Sequence, residues 1–462
     1  MKYCSTRRGT TDASFEEVLF TGYAPDGGLF LPEHIPSVRY IFGLIDNVYC
    51  EANFDHPDIV AIHSLDHSSF DDRNQPKCQI SILELFYGKT WAFKDYALEF
   101  VGAMLEYFLT NRKRHINILI ATSGDTGSAA INAVKKRPNM DIYVLFPACG
   151  RITNIQERQM TTVIEDNVHV FGADGNSDEL DVALNRIFED TSYCQQHNIT
   201  SINSINWVRI MIQIAHWIYG YLSVAAKMQS EIDDNMSFPV VEVAVPTGAC
   251  GNITAGLIAQ KMMAVPLKIV ACTTDKNTVV SDFITNGVMK SNISVHQTLA
   301  TAMDISRPYN VERIVYILSN GKFAPTTYDY ILDSALKNKV KSIFSTFAVS
   351  NDAILFAIRL LYDRHRYLVC PHTATAISYA LQANSTNQIL CIATAGWYKF
   401  ADAIRNAGIN TADNTVVNRK ITELLAKKTN YKQLEKTQNW SQTWAQAVKA
   451  QIENVESNSG NC

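Results

Sequence analysis

The sequence predicts an α/β fold whose parallel strands are covered by helices on both faces. Short apolar runs at residues 116–121, 142–146 and 168–171 have the length and composition of buried strands. Segments with apolar residues at helical spacing separate such runs, and two glycine-rich turns each join a strand to the following helix. Because strands that alternate with helices need crossover connections, their sheet is expected to be parallel and buried on both faces.

The order of the segments supports this interpretation along most of the chain. Apolar residues at helical spacing indicate helices at residues 95–109, 128–136, 178–190 and 252–263. Further strand-like runs occupy residues 240–245 and 268–273. The alternation therefore continues well beyond the first three strands.

Changes in composition divide the chain into three predicted parts. Residues 1–80 form an N-terminal unit, which contains the turn sequence Ala-Pro-Asp-Gly-Gly and a polar, loop-like stretch. Residues 81–410 contain the alternating strands and helices. Residues 411–462 are polar and are predicted to form a helical C-terminal extension, with one or two surface helices at 418–456.

Composition and charge exclude several classes of protein. The chain has 462 residues, of which 47% are hydrophobic, enough for two or three domain cores. The net charge of −4 provides no general attraction for nucleic acid or an anionic membrane. Residues 1–10 lack the apolar segment of a secretion signal, and the stretch at 215–226 is too interrupted for a membrane span. The ten cysteines form no CxxC pair, which favours a reduced, cytoplasmic protein.

Two turns, at residues 122–127 and 246–252, have the composition of anion-binding loops. They are Thr-Ser-Gly-Asp-Thr-Gly and Pro-Thr-Gly-Ala-Cys-Gly-Asn. Glycine allows an anion to approach the backbone closely, and free N–H groups at the start of a helix attract it. Either turn alone could be an ordinary strand-to-helix connection, whereas both together suggest two different anions. Neither matches the GxGxxG or P-loop pattern, which disfavours a nicotinamide-dependent oxidoreductase and a nucleoside triphosphatase.

Lys94 is a candidate nucleophile because it lies among aromatic residues at the start of a predicted helix. The surrounding sequence, residues 90–96, is Thr-Trp-Ala-Phe-Lys-Asp-Tyr. Apolar surroundings disfavour an ammonium ion and lower the pKa of a lysine, which makes its amine able to form a Schiff base. The alternative is a lysine whose stem packs on apolar neighbours while its charge reaches solvent. The local sequence does not decide between these two interpretations.

A longer segment around this lysine, residues 84–95, resembles the cofactor-lysine segment of threonine synthases. Its sequence is Glu-Leu-Phe-Tyr-Gly-Lys-Thr-Trp-Ala-Phe-Lys-Asp. Further segments that resemble this family occur in the family's order, at residues 5–7, 24–29, 121–127, 156–163, 203–209 and 247–252. A set of long motifs in a fixed order, extending from residue 3 to about residue 405, is far more specific than one glycine pattern.

The resemblance implies fold-type II of the pyridoxal-phosphate enzymes, with parallel sheets and flanking helices in two catalytic domains and a small N-terminal domain. Residues 81–410 would then be the catalytic region, and Lys94 would bind pyridoxal 5′-phosphate covalently. Thr394 would offer its hydroxyl to the pyridine nitrogen. The cofactor phosphate would be held by the backbone N–H groups of Gly248, Ala249, Cys250, Gly251 and Asn252.

The same resemblance implies a small phosphorylated amino acid as the substrate. The substrate carboxylate and the phenolic oxygen of the cofactor would face Ser123, Gly124, Asp125 and Thr126. The substrate phosphate would be bound by Ser204, Asn206 and Arg209. A guanidinium suits this task because it can donate two parallel hydrogen bonds to a phosphate. Dimers are common in related folds, so a homodimer is possible.

The sequence departs from the family pattern at two places near the predicted site. Lys89 stands where the family has proline, and it could add a second ligand for the substrate phosphate. Gly396 and Trp397 follow shortly after the predicted pyridine ligand, where the family has His-Pro. The second departure weakens the assignment of Thr394.

Two histidine positions are interpreted as structural. His372 lies in a segment that resembles the family, and we expect its ring to be satisfied within the core. His63 and His67 are expected to belong to a polar loop, because no third metal ligand follows at a suitable spacing. No metal site is predicted.

A closer resemblance exists to the animal threonine synthase-like proteins, which are described as phospho-lyases on phosphorylated hydroxy-amino acids. It depends on residues 168–172, 175–181 and 370–372. It implies elimination of phosphate from O-phospho-L-homoserine or a related compound, giving 2-oxobutyrate and ammonia. A true threonine synthase would instead add water and release threonine. A family member that only binds or signals is a third interpretation, which the Lys94 segment and both turns disfavour.

Overall fold

The described chain contains two main sheets with helices packed on their faces. The computed structural model describes residues 1–35, 49–50, 53–66, 79–229, 238–290, 293–325, 327–411 and 415–459. In chain order, the described strands are β1 (Tyr3–Ser5), β2 (Phe30–Pro32), β3 (Ala61–Ser64), β4 (Ile80–Glu84), β5 (Ile116–Ala121), β6 (Met140–Pro147), β7 (Val168–Ala173), β8 (Ile199–Thr200), β9 (Val241–Pro246), β10 (Leu267–Thr274), β11 (Val288–Met289), β12 (Tyr330–Ile331), β13 (Phe344–Val349), β14 (Gln388–Ala393) and β15 (Lys432–Leu434).

The helices lie between these strands and beyond the last of them. The described helices are α1 (Phe15–Phe20), α2 (Lys94–Arg112), α3 (Asp125–Val134), α4 (Asn154–Thr161), α5 (Ser177–Phe188), α6 (Thr191–Gln196), α7 (Trp207–Gln229), α8 (Gly251–Met263), α9 (Val279–Asn286), α10 (Val311–Leu318), α11 (Ser334–Ile343), α12 (Asn351–His365), α13 (Pro371–Gln382), α14 (Ala401–Asn406), α15 (Thr415–Ala426) and α16 (Trp440–Ser459). Short 3-10 turns cover Thr301–Met303 and Trp397–Phe400.

The larger sheet brings together strands from distant parts of the chain. Its order is β13-β10-β9-β14-β4-β3, and all neighbours are parallel except β3 and β4. The second sheet has the order β15-β7-β6-β5-β8 and is parallel throughout. The prediction of an α/β fold with parallel sheets and flanking helices is therefore confirmed.

The strands of the second sheet are buried on both faces because they are almost continuously apolar. Every residue of β5 and β6 is buried, as expected for the runs at 116–121 and 142–146. Ile118 and Ile120 enter one core cluster, whereas Leu119 enters another on the opposite face. Alternate side chains of a strand point to opposite faces, so a continuous apolar run supplies two cores at once.

Segments at both ends of the chain join the two main sheets. β3 pairs with β4 in the larger sheet, and β15 pairs with β7 in the second. The region predicted as surface helices forms α15 and α16, but α16 buries one face against α5. This difference arises because Trp444, Val448 and Ile452, all fully buried, recur at helical spacing within a polar segment. The domain boundaries near residues 80 and 411, which were predicted from composition, stay predictions.

The longest helix, α7, contains the apolar stretch at 215–226. It packs against α2 and α8 inside the molecule. None of the helices in the described ranges is both long enough and apolar enough to cross a membrane.

Candidate active site

A cavity of about 190 Å³ lies where β5, β9 and β14 reach their carboxyl ends. Ligands of open parallel sheets usually bind at this edge, because the helices that follow the strands begin there. Among the predicted site residues, those that line the cavity are Lys94, Ser123, Asp125, Thr126, Ser204, Arg209, Gly248, Ala249, Cys250, Gly251, Asn252 and Thr394. The fold therefore brings together residues from four separate predicted motifs.

Lys94 is the first residue of α2 and its amine faces a carboxylate. Its Nζ lies 3.6 Å from Oδ2 of Asp125, and its side chain is 12% exposed. Burial lowers the pKa of Lys94; the positive charges of Arg209 and Lys399 act in the same direction, while Asp125 opposes them. A lysine with a lowered pKa carries a larger share of neutral amine, which is the nucleophilic form.

Asp125 begins α3 and is shared between two lysines. Its Oδ1 is 2.8 Å from Nζ of Lys399 and accepts a hydrogen bond of 2.9 Å from Nε2 of Gln156. Burial alone would raise the pKa of Asp125, but the charges of Lys399 and Lys94 outweigh it and hold this pKa well below its usual range. Asp125 is therefore an ionised, buried acceptor at neutral pH.

The turn between β9 and α8 has the geometry of an anion site. Cys250 adopts a left-handed backbone with φ of 61°, and α8 then begins at Gly251 without a side-chain cap. A Cβ at position 248 would lie 2.3 Å from the carbonyl oxygen of Ala302, so only glycine fits there. The Nδ2 of Asn252 is buried and has no partner among the described residues. Uncapped N–H groups and an unused amide donor suit a phosphate.

Arg209 is a second candidate anion ligand in the same cavity. It is 3% exposed, and its Nη1 donates to the carbonyl oxygen of Ile202 at 3.2 Å. Its Nε has no hydrogen-bond partner within the described part of the chain. Burial lowers the pKa of Arg209 to about 10, so the guanidinium is still charged at neutral pH. A buried charge without a carboxylate is costly, and an anionic ligand would offset that cost.

Thr394 lines the cavity in spite of the departure at Gly396 and Trp397. Its N–H donates to Oγ1 of Thr373 at 3.2 Å, and its carbonyl oxygen accepts from the N–H of Phe93 at 2.8 Å. The N–H of Gly396 donates to the carbonyl oxygen of Trp91 at 3.0 Å. These bonds tie the end of β14 to the loop before Lys94, and they hold the threonine at the cavity.

His372 combines a structural bond with a place in the cavity wall. Its Nε2 accepts from the N–H of Ala302 at 3.0 Å, but its buried Nδ1 has no partner in the described ranges. Burial lowers the pKa of His372 to about 4, so the ring is neutral at physiological pH. We expected both ring nitrogens of His372 to be hydrogen-bonded within the core. Only Nε2 has such a bond in the described ranges, so Nδ1 is available to a ligand.

The structure departs from the prediction at Gly124 and Asn206, which do not line the cavity. The N–H of Gly124 is already bonded to Oγ1 of Thr122, and its carbonyl accepts from Ser128. The amide of Asn206 is fully buried and bonds to the carbonyl oxygen of Leu19 and to the N–H of Val208. Both residues shape their turns and have no group left for a substrate.

The expected extra ligand Lys89 also points elsewhere. Its exposed side chain lines a separate cavity together with Lys135, Lys420 and Lys427. His63 stacks on the ring of Tyr367, with centroids 4.7 Å apart, whereas His67 lies outside the described residues.

Several residues of the cavity and its surroundings were not predicted from the sequence. Lys399 is the most buried of them, and its aromatic neighbours in the sequence were a signal of the same kind as those around Lys94. Farther along the wall lie Tyr23, Asp178, Asp181, Arg307 and Tyr309. These come from three distant segments whose local sequence gives no sign of a common site.

Comparisons with known proteins agree with this geometry. Residues 71–394 match the model of the family "Pyridoxal-phosphate dependent enzyme", and residues 2–42 match "Threonine synthase N terminus". The chain is 40% identical to threonine synthase-like 2 of Xenopus laevis over 97% of this chain and 98% of that protein. It is 32% identical to threonine synthase of Schizosaccharomyces pombe, with 88% and 89% covered.

Solved structures give the same result. Threonine synthase from yeast matches with a TM-score of 0.81 and 28% identity, and covers 99% of both chains. A pyridoxal-phosphate-bound threonine synthase from Brucella melitensis matches with a TM-score of 0.80 and 28% identity, over 98% of this chain and 99% of that chain.

The cavity fits pyridoxal 5′-phosphate, the cofactor of this family. It offers a buried amine at Lys94, a glycine cradle that a Cβ would fill, and the unpartnered amide of Asn252. The chain belongs to the threonine synthase family of pyridoxal-phosphate-dependent enzymes.

Proposed function

We propose that this enzyme eliminates phosphate from O-phospho-L-homoserine or a related phosphorylated hydroxy-amino acid. O-phospho-L-homoserine and water would give 2-oxobutyrate, ammonia and phosphate. The observation that carries the proposal is that one cavity contains two candidate anion sites beside the amine of Lys94. They are the 248–252 turn and the buried Arg209, whose Nε has no partner within the described residues. The cofactor phosphate needs one of these sites, which leaves the other for a phosphate on the substrate.

In this proposal Lys94 acts as cofactor anchor and as the base that moves protons. When free of the cofactor, its amine would take the proton from Cα and later one from Cβ. The cofactor supplies an electron sink that stabilises the charge left at Cα. Asp125 would contact the phenolic oxygen of the cofactor and Thr394 its pyridine nitrogen.

Arg209 would bind the substrate phosphate and stabilise it as it leaves from Cγ. The developing charge would meet a fixed guanidinium in a largely buried site, where electrostatic interactions are stronger than in water. Ser204 lines the same cavity and could add a hydroxyl donor, and Ser123 and Thr126 would face the substrate carboxylate.

The alternative reaction is threonine synthesis, in which water adds at Cβ after phosphate leaves. The matches to proteins named threonine synthase favour it. The higher identity to threonine synthase-like 2, and the resemblance of residues 168–172, 175–181 and 370–372 to that subgroup, favour the phospho-lyase reaction. We therefore place elimination first.

The deciding experiment gives O-phospho-L-homoserine to the cofactor-loaded full chain and identifies the products. We expect phosphate and 2-oxobutyrate in equal amounts, measured by a phosphate assay and by mass spectrometry. Threonine in place of 2-oxobutyrate would establish the synthase reaction. No release of phosphate from any phosphorylated hydroxy-amino acid tested would instead support a binding or signalling role.

The cell compartment and assembly are also proposals. Within the described ranges, free thiols are found at Cys4, Cys149, Cys194, Cys250, Cys272 and Cys370, which supports a reducing compartment such as the cytoplasm. We propose a homodimer by analogy with related folds, and light scattering of the purified chain tests it directly.

A further inference from the structure

Lys399 is a fully buried lysine that the proposed reaction does not use. Its side chain is 0% exposed, and it lies in the 3-10 turn Trp397–Phe400 that follows β14. Its Nζ is 2.8 Å from Oδ1 of Asp125 and donates a bond of 2.8 Å to the carbonyl oxygen of Thr90. Burying an ammonium ion is costly, and these contacts with two oxygen acceptors offset part of that cost.

Two lysines therefore share one carboxylate. Nζ of Lys399 is 2.8 Å from one oxygen of Asp125, and Nζ of Lys94 is 3.6 Å from the other. One negative charge cannot neutralise two buried ammonium ions. Lys399 has the shorter contact and a second acceptor, so Asp125 is paired mainly with Lys399 and Lys94 has the weaker interaction with this carboxylate. Burial lowers the pKa of Lys94, and its amine is therefore the one that can become neutral.

Other charged and titratable groups surround Lys94, Asp125 and Lys399. They do not change which of the two lysines pairs more strongly with Asp125. Arg209 and Lys399 both disfavour the ammonium form of Lys94, and His372 is neutral at physiological pH. Asp95 is buried near Lys399, but its oxygens are occupied by the N–H and hydroxyl of Thr90 and the N–H of Ala92. Asp125 is therefore the carboxylate for which the two lysines compete.

We propose that Lys399 is a positioning residue, which fixes Asp125 as an ionised, oriented acceptor and leaves Lys94 free to act as a neutral amine. The inference rests on the proposed role of Lys94 as the cofactor lysine. It adds a residue whose effect on the cofactor lysine runs mainly through Asp125, in addition to the direct repulsion between the two ammonium groups.

The test measures how fast the cofactor-free full chain takes up pyridoxal phosphate covalently between pH 6 and pH 10, by absorbance. In Lys399→Gln, which keeps a donor but removes the charge, Lys94 becomes the main partner of Asp125. We expect the midpoint of the pH profile to rise by about 1–3 pH units, the size of shift that a nearby opposite charge produces. Lys399→Met should show the same shift, so either variant can serve if the other does not fold.

Two controls separate this effect from a general loss of structure. Lys268→Met removes a lysine that pairs with the buried Glu242 outside the cavity, and its midpoint should match that of the native chain. In an Asp125→Asn background, adding Lys399→Gln should shift the midpoint much less. The carboxylate through which Lys399 acts on Lys94 is then absent.

The outcomes also distinguish this inference from the proposed function. A native midpoint in both folded Lys399 variants, or an equal shift in the Asp125→Asn background, would overturn the positioning role. A native chain whose Lys94 takes up no pyridoxal phosphate would overturn the assignment of Lys94 instead.

Discussion

Single residues give the part of the cavity around Lys94 an excess of buried positive charge. Lys94 and Arg209 line it, Lys399 adjoins it, and Asp125 is the carboxylate that two of them share. Buried cations without enough carboxylates favour anionic ligands, because the ligand then supplies the missing charge. This imbalance suits a site that takes the phosphate of a cofactor and the phosphate and carboxylate of a substrate.

The amine of Lys94 is expected to be indispensable. Lys94→Ala should abolish phosphate release, because the anchor and the proton acceptor are lost together. Borohydride reduction of the native enzyme should fix a pyridoxyl group on the Lys94 peptide, detected by mass spectrometry. Lys268→Ala is the matched control and should keep both activity and labelling. A pyridoxyl group on another lysine would refute the assignment.

The guanidinium of Arg209 should affect mainly substrate affinity. Arg209→Gln is expected to raise KM for O-phospho-L-homoserine about 10- to 100-fold, since a hydrogen bond to a charged group contributes about 1.5–3 kcal/mol. Arg405→Gln removes an exposed arginine that pairs with Asp402, and steady-state kinetics should show no change. An unchanged KM in Arg209→Gln would remove this residue from the phosphate site.

At the scale of elements, the strand-to-helix turn after β9 has the geometry of an anion site. The turn after β9 approaches the 3-10 turn Thr301–Met303 so closely that a side chain at position 248 has no room. α8 then starts with free N–H groups that point out of its first turn. The close approach explains why glycine is needed at position 248. The uncapped start of α8 explains why an anion would be favoured beside it.

Gly248→Ala should therefore weaken cofactor binding. The added Cβ would lie 2.3 Å from the carbonyl oxygen of Ala302, a backbone atom that cannot move alone. We expect Kd for pyridoxal phosphate to rise at least about tenfold, equivalent to about 1.4 kcal/mol, in an absorbance titration. Gly251→Ala should have a smaller effect, because its Cβ meets side-chain atoms of Ile210 and Asn310 at 3.2 and 3.4 Å. Equal effects at both positions would contradict the steric explanation.

At the scale of the whole molecule, α5 is hydrogen-bonded to the segment before α10 across the wall of the cavity. Oδ2 of Asp178 accepts from the N–H and the hydroxyl of Ser306, and Oδ2 of Asp181 accepts from the hydroxyl of Tyr309 at 3.0 Å. α5 packs on the second sheet, and the segment 304–310 adjoins the 248–252 turn that follows the larger sheet. These bonds therefore connect the part of the catalytic region that packs on the second sheet to the part that follows the larger sheet.

This contact should make stability depend on pH. Burial raises the pKa of Asp181 to about 7, whereas the unfolded chain has an ordinary value near 3.8. Between about pH 4 and pH 7 the native state therefore holds a proton that the unfolded state has released. The free energy of unfolding should fall as pH rises through this window.

Asp181→Asn removes the carboxyl group that titrates. It therefore tests the predicted pH dependence of the free energy of unfolding. Urea unfolding at pH 5 and pH 8 should show a smaller loss of stability in Asp181→Asn than in the native chain. Asp402→Asn changes an exposed aspartate and should leave the native pH dependence in place. The same pH dependence in the native chain and in Asp181→Asn would refute a raised pKa at this residue.

Much of the fold follows from local sequence. The continuous apolar runs of β5 and β6 determine strands, because such runs can bury both faces of a sheet. The two glycine turns and the residues around Lys94 identified three regions of the candidate site, since their signal lies within a few neighbouring residues. The polar composition of α16 concealed a buried face, because a few apolar residues at helical spacing are enough to dock a helix.

The sequence by itself determined the alternation of strands and helices, the glycine-rich turns and the candidate lysine, all of which depend on neighbours along the chain. Only the tertiary structure placed Lys399 against Asp125, turned Asn206 inward and directed Lys89 to a different cavity. The physical reason is that the direction of a side chain, and the charge that it meets, depend on packing between segments far apart in sequence. Local propensity contains no information about those contacts.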